Sequence, residues 1–596
     1  MAAQVHMTDS DIARILEFDG NDSTVEGLSD DDFEGSQDLE PRLEELEDEG
    51  SNDDSSDDDV PLAAVAARQT SSRRLYFKHE NDFTPYPPGM YCQPLAASRV
   101  NLLQEPIEYF LRYIPEVMFE IISNYSNQTY LLKKGQNLNT TKEEIKLFFG
   151  ISIAMSYLGL PRIRMYWANR TRVAMIADRM TRDRYFKIRT NLKLVNDLEV
   201  DEASKQNKFW KDNPLIKTVR KAHLETPRSQ HISVDEQMIP FWGQVSMRQF
   251  IRGKPNPCSL KNFVCTTPDG VPLDFFMYEG KGDTILTTNE AEVLDIGGKV
   301  VLKLSETLPE GVKLYMDRYF TSLDLLDKLR SKKMQATGTL RKANIPKNCN
   351  FKTDNELRKQ GRSSSDQLVR SDGNVACLKW FDNKPVIMAS SVDSKEPINK
   401  CRRWCKKTKQ YIQIDRPFAI EQYNNMMGGV DMLDRVISFY RIRARSKKWT
   451  VRLIFHFFDF AAAAGWLVYR NEAKLLECPK KNILDYLEFK VQIANSLLYS
   501  TPAREQIHII HEVDSDDSTE EAQPWSRKRK CIPQPPVQLR TAMAGHLPLI
   551  DEQNDNHRCR MPGCKSKKAR VFCSTCNMHL CLVVGRNCYK RYHESV

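Results

Sequence analysis

Apolar positions change their period along this chain, and the changes divide it. From Glu105, the residues Ile107, Phe110, Leu111, Ile114, Val117, Met118, Ile121 and Ile122 recur at helical spacing. Residues Thr141 to Leu158 form a second amphipathic helix, with Thr140 or Thr141 as N-cap. Thr181-Arg-Asp-Arg-Tyr-Phe-Lys-Ile-Arg opens a third. Near His231 the period becomes two, and His231-Ile-Ser-Val-Asp-Glu-Gln-Met-Ile-Pro-Phe reads as a strand. Further strands fit Asn262–Thr266, Leu273–Tyr278 and Lys313–Met316. A helix fits Lys299–Leu308, entered after Gly297 and Gly298 and stopped by Pro309. Residues 343–415 are polar and broken, with short strands expected at Val375–Phe381 and Pro385–Ala389. Helical spacing returns at Gly428 and runs to about Tyr499. The order is helical, mixed α/β, broken β-rich, helical: a multidomain α+β chain.

Charge adds a partner to that picture. The net charge is +8, but residues 1–60 hold 22 Asp and Glu against two bases, Arg14 and Arg42. The remainder therefore carries about +28, which points to a polyanion, nucleic acid first. The acidic start has too few apolar residues to offset chain entropy and is expected to be disordered, as a solubilising or an interaction tail. Met1 is followed by polar and acidic residues, so no secretory signal is expected. The most apolar helix, Val451 to Tyr469, carries Arg452, His456 and Asp459 in mid-span. Charges there predict a core helix and no membrane partner.

Two aspartates occupy strand positions in apolar surroundings: Asp235 after Ile232-Ser-Val, and Asp317 after Leu314-Tyr-Met. Two such carboxylates on neighbouring strands repel, and one is driven to protonate unless a cation joins them. Gly428-Gly-Val-Asp-Met-Leu-Asp adds Asp431 and Asp434, three apart on one helical face. Each alone suits a first helical turn, where Asp complements the dipole. The whole set suits two divalent cations, Mg2+ or Mn2+, in an in-line phosphoryl displacement.

Basic runs supply candidate DNA contacts. Arg441-Ile-Arg-Ala-Arg-Ser-Lys-Lys-Trp puts Arg441, Arg443, Arg445, Lys447 and Lys448 beside that helix, where they could neutralise phosphates. Trp449 reads either as a base-stacking residue or as a packing anchor at a helix start. Arg527-Lys-Arg-Lys530 reads as a nuclear localisation signal or as a plain solvated run, and the expected compartment is the nucleus.

Of 15 cysteines, six fall in the last 40 residues. The spacing Cys559-x4-Cys564, Cys573-x2-Cys576, His579-x-Cys581, Cys588-x4-His593 supplies eight ligands for two Zn2+. The expected wiring is a cross-brace, with the first and third pairs on one ion and the second and fourth on the other. So small a module needs metal for its stability. A cross-brace can recruit proteins as well as bind DNA; its basic loops, with Lys565, Lys567, Lys568 and Arg570, favour DNA.

Ser233-Val-Asp-Glu-Gln-Met, Tyr315-Met-Asp-Arg-Tyr-Phe-Thr-Ser-Leu and Tyr423-Asn-Asn-Met-Met-Gly-Gly-Val-Asp-Met-Leu-Asp resemble the signature blocks of piggyBac-type transposases. So do Lys254-Pro, Thr337-Gly-Thr-Leu-Arg and Arg445-Ser-Lys-Lys-Trp, over roughly residues 100–500 plus the C-terminal module. The resemblance implies a catalytic triad at Asp235, Asp317 and Asp431, assisted by Asp434, with Lys254 and Arg341 facing DNA. It implies cut-and-paste transposition: nicked ends, hairpins on those ends, joining at TTAA, and a cysteine-rich domain that binds the ends. It also implies an RNase H-like core at 229–342 and 416–440, interrupted by an insertion domain at 343–415. A helical dimerisation and DNA-binding domain is expected at 101–228 and 441–510, giving a homodimer. An acidic tail and arm at 1–100, a linker at 511–555 and the zinc domain at 556–596 complete the division. The competing reading is a domesticated DNA-binding or chromatin protein that does not transpose; a third is a scaffold that recruits partners through its zinc module.

Overall fold

The structure, a computed structural model, describes residues 75–79, 82–87, 102–197, 199–251, 256–280, 282–283, 294–405, 409–443, 446–499, 546–550, 557–566 and 568–594. The acidic tail, the basic run at 527–530, Lys254, Arg445 and Lys567 lie outside them.

The helical period holds, with one break. Helix α1 (Pro106–Tyr113) and helix α2 (Glu116–Lys134) divide the first apolar run at Ile114-Pro115. Proline has no N–H to give to a continuing helix, so a new one starts there. Helix α3 (Lys142–Leu158) is capped by the Thr141 hydroxyl, which accepts from the Glu144 N–H, and Gly159 ends it in the left-handed conformation. Thr181 caps α4 (Arg182–Thr190) in the same way, and α5 (Asn213–Leu224) follows.

Ten strands among the described residues make one sheet. Its centre is β2 (His231–Pro240), which pairs antiparallel with β4 (Cys258–Thr266) and parallel with β6 (Lys313–Met316). Strand β3 (Arg248–Phe250) pairs with β4, as does β5 (Pro272–Met277). Strand β6 pairs parallel with β7 (Gln335–Thr339). A parallel step needs a crossover, and α7 (Leu323–Ser331) supplies the one from β6 to β7, while α6 (Ile296–Ser305) leads into β6. The glycines expected before α6 are instead inside it, because the cap is Asp295. A β-carbon on Gly297 would lie 2.2 Å from the Tyr319 carbonyl oxygen, so its absence lets the helix press on the loop after β6.

Residues 343–415 are β-rich as expected, but they do not stand apart from the sheet. Strands β8 (Ser365–Arg370), β9 (Ala376–Phe381) and β10 (Pro385–Ser390) continue it through the β10–β7 pairing. Residues of the expected N-terminal arm add an edge strand, β1 (Phe77–Lys78), against β8. Only β11 (Asn399–Cys405) and β12 (Gln410–Arg416) form a separate two-stranded ribbon.

Three helices complete this body: α8 (Phe418–Met426), α9 (Gly429–Phe439) and α10 (Trp449–Leu475); α11 (Tyr486–Tyr499) packs on α3. Helix α10 is long and apolar enough to cross a membrane by composition, yet it is buried inside the helical core. Asp459, in its middle, is paired within that core. The Lys490 ammonium, 0 % exposed, donates to Asp459 at 2.8 Å, and the Ile442 N–H donates to the other Asp459 oxygen at 2.8 Å. Removing one partner of such a buried pair costs about 3–5 kcal/mol.

Candidate active site and candidate metal centre

The register of the sheet brings the first two aspartates together. Val234 and Met316 are partners across the parallel β2–β6 pair, so Asp235 and Asp317 follow side by side. Asp235 is pushed well above the usual carboxylate range by burial, then by the neighbouring Glu236 and Asp317 charges. The loop after β6 is tight. The Tyr319 N–H donates to the Asp317 carboxylate at 2.8 Å, and the Thr321 hydroxyl to the Asp317 carbonyl at 2.8 Å. Gly338 on β7 leaves room for that loop, because a β-carbon there would lie 2.1 Å from the Thr321 hydroxyl oxygen.

The glycine pair before Asp431 works differently at its two positions. Gly428 has open space around it. A β-carbon on Gly429 would come within 2.2 Å of both the Thr266 hydroxyl and the Thr267 carbonyl oxygen. Gly429 therefore sets how closely α9 lies on β4, and so where Asp431 and Asp434 sit. Asp431 is exposed in the first turn, while Asp434 is half-buried. Its carboxylate accepts from the Gln237 side-chain amide at 2.6 Å. The Gln237 oxygen accepts from Asn262 at 3.2 Å and meets the His456 Nε2 at 3.0 Å. Burial, then the Arg441 and Arg452 charges, push His456 well below the usual histidine range, so it is neutral and its Nε2–H donates.

Tyr423, on α8, reports on all three sides of the site. Burial raises its phenol above the usual range, and Asp317, Asp235 and Asp431 each add to that rise. One hydroxyl thus lies within the fields of three aspartates that are far apart in the chain. The closest groups of metal-ligand side chains among the described residues lie elsewhere. Tyr423 and Gln237 fall inside the sequence blocks quoted above but carried no assigned role, and His456 was read only as a charge in an apolar helix. Nothing but their place in those blocks could have marked them.

The basic residues divide. Arg341 lies over the Tyr319 ring at 5.2 Å, with Lys261 over the same ring at 4.5 Å, beside the Asp317 loop. Arg443, Lys447 and Lys448 are exposed, and Arg441 is half-buried near His456 and Lys490. Trp449 is no free stacking face: it opens α10 and packs edge-on against Phe209 at 5.7 Å.

The closest ligand clusters are in the C-terminal module. One joins Cys559, Cys564, Cys581 and Cys588; the other joins His546, Cys573, Cys576 and His593. The interleaved order of a cross-brace stands, but the partners differ from expectation. His579 belongs to neither set, its ring stacking on His557 at 3.9 Å, and Cys588 joins the first set. His546 takes the vacant place because strand β13 (Pro548–Ile550) pairs with β14 (Val571–Cys573), which sets it beside Cys573. The spacings fit tetrahedral zinc. Zn–S bonds of about 2.3 Å require sulfur atoms about 3.8 Å apart, and Cys564 and Cys581 lie 3.9 Å apart. The His546 Nδ1 is 3.3 Å from Cys573 and 3.4 Å from Cys576. The His593 Nδ1 bonds the Tyr589 carbonyl at 2.8 Å, which leaves Nε2 facing the cluster, 3.6 Å from Cys576. Hydrogen bonds, first from the Ser566 backbone, lower Cys564 to about 7, while burial pushes Cys559 up to about 12. One thiol of the four is thus ready to ionise.

The mixed sheet thus carries Asp235 on β2 and Asp317 directly after β6, with helices packed against it, and similarity to known proteins places this arrangement among transposases. The family model described as Transposase IS4 matches residues 105–465. The chain belongs to the piggyBac transposase family. It is 32% identical over 452 residues to the human PiggyBac transposable element-derived protein 3, covering 73% of this chain and 74% of that one. It is 28% identical to the human PiggyBac transposable element-derived protein 2, covering 75% and 74%. Its fold is similar to that of a piggyBac transposase solved as a synaptic complex with hairpin DNA, with a TM-score of 0.56, 20% identity, and coverage of 81% of this chain and 96% of that one.

Proposed function

We propose that this chain is a cut-and-paste DNA transposase of the DDD type. In this reading the mixed sheet is an RNase H-like core, and Asp235, Asp317 and Asp431 hold two Mg2+ or Mn2+ ions. The observation that carries it is the parallel β2–β6 register, which sets Asp235 beside Asp317 on the central strands of the mixed sheet. The donor set fits hard divalent cations: oxygen ligands only, two at adjacent strands and one on helix α9, with Asp235 pushed up by burial and then by the Glu236 and Asp317 charges. When bound, such ions activate an oxygen nucleophile and stabilise the leaving oxygen.

The chain's own groups do the rest. The Gln237 amide holds Asp434 with one oxygen turned to its donor, and neutral His456 and Asn262 fix the amide's orientation. Arg341, exposed, places positive charge beside the Asp317 loop, where a DNA strand would lie, while Lys261 is buried against the same Tyr319 ring. The module with two Zn2+ ions binds the transposon ends, the helical regions dimerise, and the protein acts in the nucleus. Hairpin formation on the ends and joining at TTAA belong to the same reading. The structural neighbour, solved with hairpin DNA, supports it.

A second reading has its own support. The human relatives are named as transposable element-derived proteins, which favours a domesticated DNA-binding protein without transposition. One assay separates them. Duplexes carrying the inverted repeats that flank the chain's own gene are incubated with the purified protein and Mg2+ or Mn2+. Nicking that Asp317→Ala abolishes supports the transposase; binding without cleavage in either metal leaves the second reading.

A further inference from the structure

The proposed chemistry gives the β11–β12 ribbon no role. Across Asn399 to Arg416 it carries seven bases (Lys400, Arg402, Arg403, Lys406, Lys407, Lys409 and Arg416) against a single acid, Asp415. Its two faces differ. Inward, Cys401, Ile412 and Ile414 pack with Leu378, Trp380, Ala419 and Ile420. The Trp380 indole N–H donates to the Asp415 carbonyl at 3.2 Å, and the Arg362 guanidinium to the Trp404 carbonyl at 3.1 Å. The ribbon is therefore anchored at both strands.

Outward, Trp404 and Tyr411 are direct cross-strand partners, 47% and 58% exposed, with rings 5.1 Å apart edge to face. The Arg402 guanidinium lies 4.2 Å over the Tyr411 ring. Two large aromatic side chains held in water on a rigid, strongly basic support contribute nothing to the core. Their fit is to flat, unpaired bases strung on a phosphate backbone, where each base stacks and each phosphate meets a cation. A duplex hides its base faces within the stack and does not match them.

We infer that the outer face of the β11–β12 ribbon binds unpaired DNA, stacking a base on Trp404 and Tyr411 while Arg402 and Lys400 contact the phosphates. The inner face packs on the helix that carries Tyr423, so an unpaired strand on the outer face is separated by only the ribbon's thickness from the element that borders the aspartates. The inference rests on the proposed action on DNA, because strand cleavage is what exposes unpaired bases.

The test is fluorescence anisotropy with the full-length protein, using an oligothymidylate of about 15 nucleotides and a fully paired repeat duplex as probes. The expected result is at least a tenfold loss of oligothymidylate affinity in Trp404→Ala/Tyr411→Ala. Duplex affinity should be unchanged and Trp404→Phe/Tyr411→Phe close to the unmodified protein. Both side chains are exposed, so thermal unfolding should be retained in every variant. Equal oligothymidylate binding by the alanine variant overturns the inference. So does a shift from dimer to monomer in sedimentation with DNA binding unchanged, which would make the ribbon an interface between copies. Nicking of the duplex without oligothymidylate binding sinks the ribbon and leaves the transposase reading. Oligothymidylate binding at Trp404 and Tyr411 without nicking does the reverse.

Discussion

The sheet and the C-terminal module both gather ligand-type side chains, but in the proposed reading they would depend on metal in opposite ways. Asp235, Asp317 and Asp431 stand on a sheet and a helix that two large apolar clusters already hold in place. The fold sets Asp235 beside Asp317, and burial, then the Glu236 and Asp317 charges, push Asp235 well above its usual range. The module's apolar cluster is small and consists largely of the cysteines themselves. On that reading folding energy is spent to make a metal site in one region, and in the other the metal would supply the folding energy. A residue's ligand role is therefore tied to stability with opposite sign in the two places.

Removing zinc gives the largest expected effect. Structural zinc contributes apparent binding energies of about 10–16 kcal/mol, so a strong chelator should unfold residues 546–594. Hydrogen exchange should show protection lost there and kept in β2, β6 and β7; equal loss in both would break the comparison. Next is Asp317→Ala, which should lower strand cleavage by several kcal/mol of barrier, roughly a thousandfold. The melting temperature should hold. Asp235→Asn should raise it in metal-free protein, because a buried, repelled carboxylate is removed.

Acid should act on the body through His223. Burial pushes it down to about 3, against aromatic rings of Tyr113, Phe275 and Phe460. The unfolded chain takes up that proton near pH 6.5 and the folded chain does not. Stability should therefore be level above pH 6.5 and fall between 6.5 and about 3, by up to about 4 kcal/mol. His223→Phe should flatten that segment of a denaturant midpoint against pH curve.

Gly429→Ala comes next. The new β-carbon must displace Thr266, Thr267 or α9, an overpacking cost of about 1–3 kcal/mol. Its cleavage defect should exceed that of Gly428→Ala, which meets open space. The smallest effect belongs to His579→Ala. It should keep two zinc ions per chain by atomic absorption, with stability within about 0.5 kcal/mol, whereas His546→Ala should keep one. Loss of an ion from His579→Ala would restore the ligand set read from spacing alone.

Much of the architecture was legible because periodicity is local. Thr141, one of the two caps expected for its helix, caps it, a helix opens at Thr181 as expected, and Lys313–Met316 is a strand at those bounds. The break at Ile114-Pro115 was also visible, since proline marks it, but the apolar repeat ran across it. The separateness expected of residues 343–415 was not a local property. Whether β8, β9 and β10 stand alone or extend the sheet depends on the β10–β7 pairing, which composition does not encode.

The sequence by itself determined which side chains could do chemistry: four aspartates in apolar or helix-start settings, and a dense run of cysteines. It did so because burying a carboxylate or crowding thiols is costly wherever the chain folds, and a ligand is the general remedy. Only the tertiary structure decided who meets whom. The parallel register of β2 and β6 put Asp235 beside Asp317, a missing β-carbon at Gly429 set the distance of α9, and one short strand pairing chose His546 over His579. Contacts between distant residues are fixed by strand register and packing, and neither is a property of neighbouring residues in the chain.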